Sequence, residues 1–242
     1  MPSLIKDILE EYQKGIKNSH KVQKLLDILF NKKATYDTAH KFSVEVGTIL
    51  TDLLSDKLTL ESLDLDEMYW NIAQRVLLDT LEENHNLVSE YTQQVQALLN
   101  KRANINLKPQ RAEFDKEGVE SIAGKLVSAE DFQKVAFLLK EPIITHSMRI
   151  VDRTLLANAD FQKSSGLQPK IKRTLGGRCC DWCASLVGEY DYTSDINIDV
   201  FKRHDRCRCK VEYVSVGLKS QIIHDGQGQL TAKTKSRKTR YG

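Results

Sequence analysis

The chain has 242 residues, of which 40% are hydrophobic and 29% are charged, and its formal net charge is +3. This composition is typical of a soluble, helix-rich protein with one domain of ordinary size or two small ones. The sequence has no uncharged apolar run long enough to cross a membrane and no signal-peptide core at its start. We therefore expect no membrane anchor, and we expect synthesis in a reducing cytoplasm.

Positive charge is concentrated towards the C-terminus. Residues 161–242 contain 16 Lys and Arg against 8 Asp and Glu, whereas residues 1–160 contain 20 against 25. An acidic body followed by a basic end has two interpretations. The basic end contacts an anionic partner such as nucleic acid, or it is a solvated surface whose charge is unevenly distributed without a binding role.

Apolar residues recur at three- and four-residue steps through most of the first 165 residues, which predicts helices. The first helix is predicted to have Ser3 as its N-cap, and further helices follow between Val22 and Leu54. A longer apolar stripe from Tyr69 to Leu98 predicts a helical hairpin or a coiled-coil arm. Residues 104–110 interrupt the periodicity and are the predicted linker to the next part of the chain.

Helices are predicted to resume at about Asp115 and to continue until about Lys163, before the pattern changes at Gly166. Ser128 is the predicted N-cap of one helix, and Pro142 either stops that helix or lies in the first turn of the next. After Gly166, alternating and β-branched residues predict short strands at 170–174, 186–190 and 210–216.

The order of these elements predicts an α+β fold class. A mostly helical N-terminal body, residues 1–110, forms an arm or a bundle. A small C-terminal α+β unit, residues 111–226, has a short antiparallel sheet and carries a Cys/His knuckle within residues 179–209. Residues 227–242 are rich in Gly, Thr, Lys and Arg, which predicts a flexible basic tail.

All five cysteines lie in one short span of the sequence. Cys180 and Cys183 form a C-x2-C pair, and His204, Cys207 and Cys209 form an H-x2-C-x-C segment further along the chain. Two pairs of soft ligands with a histidine beside the second pair are typical of a tetrahedral zinc site that ties two segments together. These five residues are the candidate metal ligands, and a structural Zn²⁺ is the expected cofactor.

Zinc needs four ligands, so the five candidates include at least one too many. Cys180 and Cys183 are assigned as ligands because a C-x2-C turn presents two sulfurs to one ion with little strain. His204, Cys207 and Cys209 stay alternatives for the other positions. Basic residues between 203 and 210 are expected to offset thiolate charge and lower the thiol pKa values. The alternatives to a metal are thiols packed in a small core and disulfides formed in an oxidising medium.

Catalytic interpretations lack the partner residues that they need. The sequence has no H-x-E before its C-x2-C pair, as a zinc deaminase requires, and His204 has no second histidine close by, as an HNH-type nuclease requires. It also has no phosphate-binding glycine loop, G-x-S-x-G or H-E-x-x-H. His20, His40, His85 and His146 are expected to be surface or core residues. We therefore expect a protein that is not an enzyme.

The two cysteine-bearing segments resemble the signature of the phage Mu F-like minor head proteins. The resemblance is carried by C-x2-C-x2-L-x-G within residues 180–190 and by H-x2-C-x-C within residues 199–213. It covers residues 145–215, because the helix before the cysteines also lies where the family has its upstream segment. Many members place a proline shortly before the histidine, where this chain has Asp199-Val200-Phe201.

The resemblance implies that residues 111–226 form a Mu F-like head-protein domain. It implies a virion component of a tailed phage, inside the head and associated with the portal and other capsid proteins, that aids head morphogenesis, DNA packaging or DNA ejection. Contacts with packaged DNA would be non-specific phosphate contacts. The helical arm is a candidate for self-association, and assembly would take place in the host cytoplasm. The alternative is a small metal-binding nuclease or toxin-like effector that acts on nucleic acid.

Overall fold

A computed structural model of the chain describes residues 2–58, 68–128, 132–177, 180–204, 206–218, 223–224 and 230–231. Over these residues the protein is mostly helical, with a small three-stranded antiparallel sheet towards the C-terminus. The predicted α+β fold class is therefore confirmed.

The helices, in chain order, are α1 Pro2–Asn18, α2 His20–Phe30, α3 Tyr36–Lys57, α4 Met68–Arg102, α5 Lys116–Val127, α6 Phe132–Val135, α7 Glu141–Ser164 and α8 Asp181–Ser185. Two 3₁₀ turns are Ala136–Leu139 and Ile198–Phe201. The strands are β1 Leu167–Thr174, β2 Gly188–Asp191, β3 Lys210–Leu218, β4 Ile223–His224 and β5 Leu230–Thr231.

Local sequence signals explain several helix ends. The Ser19 side chain caps α2 by accepting a hydrogen bond from the amide of Val22 at 3.3 Å. Pro142 lies in the first turn of α7, which is one of the two roles predicted for it. The chain leaves α7 at Gly166, which has φ 84°.

Two predicted helix starts are wrong. Helix α1 begins at Pro2, so Ser3 lies inside the helix rather than before it. Ser128 is the C-terminal cap of α5 instead of the N-cap of the following helix. The residues that would have formed the first turn after Ser128, at 129–131, lie outside the described part of the chain.

The predicted hairpin or coiled-coil arm is a single helix, α4, packed inside the body. It contacts α1, α3, α5 and α7. A polar row is buried along α4, and the periodicity of its apolar residues did not reveal this row. This row comprises Thr80, Asn84, Ser89, Thr92, Gln96 and Asn100.

Side-chain hydrogen bonds of Asn84 and Gln96, two members of this buried row, join four helices. Asn84 accepts from the Tyr12 hydroxyl of α1 at 2.9 Å and donates to the Ser147 hydroxyl of α7 at 2.8 Å. Gln96 accepts from the Tyr36 hydroxyl of α3 at 2.7 Å. Because buried polar groups are costly unless they are paired, these bonds fix how the helices sit against one another.

One hydrophobic core runs through both predicted parts of the chain. It includes Ile8 and Val46 from the N-terminal helices together with Val151, Ile171 and Val211 from the C-terminal half. Helix α7 packs against α3 and α4 on one side and against β1 on the other. The boundary near residue 110 is therefore not a break in packing, and whether either part folds alone stays a prediction.

The sheet has the strand order β2-β1-β3, with both pairs antiparallel. Strand β1 is central, and its residues alternate between a solvent face and a buried face on which Ile171 and Arg173 lie. The predicted strands at 170–174, 186–190 and 210–216 correspond to β1, β2 and β3.

Most of the predicted basic tail lies outside the described residues. The part that is described, Leu230–Thr231, pairs with Ile223–His224 as a short two-stranded ladder. Among the described helices, none combines the length and the apolar character needed to cross a membrane.

The close crossing of α3 and α7 gives a direct test of this packing. A Cβ added at Gly47 would lie 2.8 Å from the Ser147 Oγ of α7, whereas one added at Gly124 of α5 would meet no atom within 4 Å. We expect Gly47→Ala to lower the free energy of unfolding by about 1 to 2 kcal/mol through overpacking. Gly124→Ala should raise it by about 0.5 to 1 kcal/mol through helix propensity.

Urea unfolding of the two variants measures this difference. Stabilisation by both changes would contradict the close crossing of the two helices at Gly47.

Candidate metal centre

The first cysteine pair is presented by a glycine turn and a one-turn helix. Gly177 has φ 86°, and a Cβ at Gly176 would lie 1.7 Å from the carbonyl oxygen of Arg208. The turn therefore packs directly on the backbone of the second cysteine segment, which only glycine allows. Cys180 then caps α8, and Cys183 lies within it.

The second cysteine segment connects the 3₁₀ turn Ile198–Phe201 to β3. It carries His204, Cys207 and Cys209 with no regular secondary structure of its own among the described residues. Cys207 and Cys209 are almost fully buried, as is Cys183, whereas Cys180 and His204 are exposed. The site therefore has a buried sulfur side and a solvent side.

All five predicted ligands meet around Cys183. Its sulfur lies in one group with Cys180 and His204 and in a second group with Cys207 and Cys209, with the donor atoms of each group within 4.8 Å of one another. The His204 Nε2 atom is 3.1 Å from the Cys183 Sγ and 3.5 Å from the Cys180 Sγ. These Cys/His groups could hold a metal ion.

The distances are compatible with a tetrahedral ion and exclude a disulfide between Cys183 and Cys207 in this structure. Thiolates bound to zinc at about 2.3 Å lie about 3.8 Å apart, and a thiolate and an imidazole nitrogen lie about 3.6 Å apart. The Cys183 and Cys207 sulfurs are 3.7 Å apart, far beyond the roughly 2.0 Å of a disulfide. Neither group contains a carboxylate among the described residues, so the donor set is soft.

Arg173 of β1 places a buried positive charge against the sulfurs. Its side chain is almost fully buried, and its Nη2 lies 3.7 Å from the Cys183 Sγ and 4.0 Å from the Cys207 Sγ. No carboxylate in the described part of the chain pairs with it. A guanidinium is costly to bury without an anion, so its position favours thiolates, the form in which cysteine binds metal.

Arg173 also holds the second cysteine segment through backbone carbonyls. Its Nη1 donates to the carbonyl oxygens of Val200 and, at 2.9 Å, of Lys202. Trp182 covers the other side, with its ring 5.6 Å from the Arg173 guanidinium carbon and in edge contact with His204. Arg173 thus links the sheet, the first cysteine pair and the residues that precede the second cysteine segment.

A second buried arginine, Arg203, fastens the same segment to the helical body. It forms a two-pronged ion pair with Asp152 of α7, and the side chains of both residues are 1% exposed. It also donates to the carbonyl oxygen of Cys209. Its own carbonyl accepts from Arg149 Nη2 at 3.0 Å.

His40 of α3 completes this buried cluster as a neutral imidazole. Its Nε2 lies 2.9 Å from the carbonyl oxygen of Val211, and its Nδ1 lies 3.5 Å from Nη2 of Arg203. The Val211 amide nitrogen also lies 3.3 Å from Nε2, so this nitrogen faces both a donor and an acceptor of the same residue. The shorter contact, with the carbonyl, is satisfied when Nε2 carries the proton and Nδ1 accepts from the guanidinium. Burial lowers the pKa of His40 to about 4.

The expected role of the basic residues beside the ligands is only partly correct. Arg203 pairs with Asp152, Arg208 with Glu141 at 2.6 Å, and Lys210 with Asp37. These cations are therefore paired with carboxylates. Among the described residues, the cation that contacts the sulfurs is Arg173, which lies outside both cysteine motifs.

The thiols differ in acidity for separate reasons. Hydrogen bonding from the backbone amide of Cys183 lowers the pKa of the exposed Cys180 thiol. Burial raises the pKa of Cys183, and the neighbouring thiols of Cys209 and Cys207 raise it further. The general lowering that the basic neighbours predicted is wrong for Cys183, because burial outweighs the effect of Arg173.

Comparison of the chain with protein-family models, curated proteins and solved structures found no match. The resemblance described above therefore depends on the two motifs themselves.

The buried ion pair between Asp152 and Arg203 predicts a large effect of mutation. Asp152→Asn keeps the shape of the side chain but leaves the Arg203 charge buried without an anion, which should lower the free energy of unfolding by about 3 kcal/mol. The control is Lys172→Ala, which removes an exposed cross-strand pair with Glu189 at 3.2 Å and should cost less than about 1 kcal/mol. Equal losses in urea unfolding would contradict the buried pair.

The neutral state of His40 predicts a dependence of stability on pH. Its pKa is lower in the folded protein than the usual value of about 6.5, so the unfolded chain binds the proton more tightly. The stability that neutral His40 provides is complete above pH 6.5 and is lost as the pH falls towards 4. Between pH 7 and pH 5 the parent should lose roughly 2 kcal/mol more than His40→Gln does.

The matched control is His20→Gln, at an exposed histidine, which should lose as much stability as the parent over the same pH interval. Parallel losses in the parent and in His40→Gln would mean that His40 is not kept neutral by the fold.

Proposed function

We propose that this protein is a non-enzymatic minor head protein of a tailed phage, with a structural zinc ion in its C-terminal unit. The observation that carries the proposal is that C-x2-C and H-x2-C-x-C, the two motifs that resemble the Mu F-like signature, converge on Cys183. Motifs that serve a common ion have a reason to be spaced and placed in this way.

The four ligands that we propose are Cys180, Cys183, His204 and Cys207. Three of the six distances among their donor atoms, 3.5, 3.1 and 3.7 Å, lie within about 0.5 Å of the edges of a zinc tetrahedron. Cys207 belongs to the second donor group, which shares Cys183 with the first, so binding of one ion would draw its sulfur towards Cys180 and His204. Three thiolates and Zn²⁺ leave one negative charge, which would be balanced by the buried guanidinium of Arg173, since that of Arg203 pairs with Asp152. Cys209 lies beside the site as a buried thiol. When bound, the ion supplies a cross-link between the two segments.

This ligand set predicts which variants lose the metal. The parent, purified under reducing conditions and dialysed, should contain one zinc ion per chain by elemental analysis. Cys183→Ser and Cys207→Ser should lose it, because each removes a ligand that zinc cannot readily replace.

Cys209→Ser is the matched control, since it changes a neighbouring buried thiol and should leave the zinc content unchanged. Loss of zinc from all three variants would refute the proposed set. Absence of zinc from the parent, or its retention in all three variants, would refute the structural metal.

In the proposed role, the helical body contacts the portal and other capsid proteins from inside the head. The basic end of the chain then contacts packaged DNA through phosphates. Several cations of the described C-terminal unit already pair with carboxylates, as Lys170 does with Asp191 and Lys172 with Glu189. We therefore assign the DNA contact to residues 232–242, which contain five Lys and Arg and no Asp or Glu.

The alternative is a metal-dependent nuclease or toxin-like effector. A nuclease that uses Mg²⁺ needs hard oxygen ligands, and the candidate site has thiols and an imidazole instead. This donor chemistry favours a structural role for the ion.

Two measurements test the proposed role. Mass spectrometry of purified virions of the encoding phage should find this polypeptide in the particle. Purified protein with added Mg²⁺, Mn²⁺ or Zn²⁺ should leave plasmid DNA intact. Absence from virions, or DNA cleavage that His204→Ala abolishes, would favour the nuclease.

A further inference from the structure

A pocket of about 640 Å³ opens between the N-terminal helices and the start of β3. One wall is formed by α2 and α3, and the opposite wall by the glycine turn and the segment that leads into β3. Its lining residues are Lys21, Lys24, Leu25, Ile28, Thr38, His40, Lys41, Val44, Glu45, Met148, Gly176, Arg208 and Lys210.

The floor of the pocket is apolar. Leu25 and Met148 are buried there, while Ile28 and Val44 are half-buried and leave part of their surface to the pocket. Pockets of this size with mostly apolar walls bind ligands by enclosing an apolar group. A ligand that fills this pocket therefore needs an apolar part.

The lining has a strong excess of positive charge. Lys21, Lys24, Lys41, Arg208 and Lys210 line the pocket, whereas Glu45 is the one carboxylate among its described lining residues. Such an excess favours an anionic ligand and repels a cationic one.

Carboxylates of this protein neutralise these cations only in part. Lys41 and Lys210 share the single carboxylate of Asp37, while Arg208 pairs with Glu141 and Lys21 with Glu45. No carboxylate in the described part of the chain pairs with Lys24. The five cations thus face three carboxylates, which leaves an excess of positive charge for anionic groups on a ligand.

The cations are spread along the pocket rather than gathered at one point. Lys41 and Lys210 meet at Asp37, whereas Lys21 lies 3.3 Å from Glu45, two turns further along α3. Eight residues of helix span about 12 Å. A single carboxylate or phosphate cannot reach both ends, so a ligand that pairs with cations at both ends needs separate anionic groups.

We infer that this pocket docks an acidic segment of a partner protein, with one or two apolar side chains in the floor and Asp or Glu residues along the cationic lining. Peptide segments combine apolar anchors and acids at this spacing, since four residues of extended chain cover about 13 Å. Nucleic acid matches the charge but offers no aliphatic anchor for the floor. The inference concerns the α2–α3 side of the molecule and stands independently of the proposed phage role.

The test uses a short fluorescent peptide with two leucines between two pairs of glutamates, and a matched peptide with lysines in place of the glutamates. Fluorescence anisotropy should show saturable binding of the acidic peptide to the full chain and at least about tenfold weaker binding of the basic one.

Two variants and one control separate the contribution of the cationic lining to binding from that of the apolar floor. Lys24→Glu reverses an exposed charge at the pocket and should weaken binding of the acidic peptide about tenfold. Lys125→Glu makes the same change on α5, whose main packing partners do not include α2, α3 or α7, and should change it less than twofold. Val44→Phe fills the floor while keeping every charge, and it should also weaken binding about tenfold.

Three outcomes would overturn the inference. Equal binding of the two peptides would remove the charge argument. Weakening by Lys24→Glu without weakening by Val44→Phe would reduce the interaction to general charge attraction. Duplex DNA that competes for the site, and whose binding Val44→Phe leaves unchanged, would assign the cationic lining to nucleic acid instead. Urea unfolding of each variant confirms that it is folded.

Discussion

The segment between the 3₁₀ turn and β3 has no regular backbone pairing among its described residues, so side chains must fix it. Two buried arginines do so from opposite sides. Arg173 binds the carbonyl oxygens at the start of the segment and contacts two sulfurs. Arg203 ties the segment to α7 through Asp152 and to its own end through the carbonyl of Cys209. The convergence of the five candidate ligands depends on these contacts.

The two arginines differ in how their charge is balanced, and this difference connects folding to the metal. Arg203 pairs with the carboxylate of Asp152, so the cost of burying its charge is offset by another residue of the protein. Arg173 has sulfurs, so its burial is well compensated only when those sulfurs are thiolates. An ion that keeps the thiols deprotonated therefore stabilises a guanidinium that is already part of the sheet. The same segment also supplies Arg208, and the first residue of β3 supplies Lys210, to the pocket beside α2 and α3.

The grouping of the candidate ligands and the positions of the strands could be predicted because both follow from short-range spacing. Cys180 and Cys183 are three residues apart, and β1, β2 and β3 alternate over their own lengths. The role of Arg173 was also accessible in principle. It lies two residues after the buried Ile171 on an alternating strand, so its side chain had to face inward.

Other features depend on which elements meet, and periodicity does not determine that. The apolar stripe of α4 is equally compatible with an arm and with a helix inside the body. Only the partners of Asn84 and Gln96, Tyr12 and Tyr36 from distant helices, distinguish the two. Likewise, no local pattern pairs Asp152 with Arg203 across 51 residues. Long-range pairs of this kind also explain why the cations beside the cysteines form ion pairs with carboxylates of distant elements.

In the proposed metal centre, thiolates from two separate segments share one ion beside Arg173. Zinc K-edge X-ray absorption of freshly purified protein measures the donors of that ion directly. We expect a shell dominated by sulfur at about 2.3 Å with one nitrogen at about 2.0 Å. A shell made only of oxygen and nitrogen would contradict it.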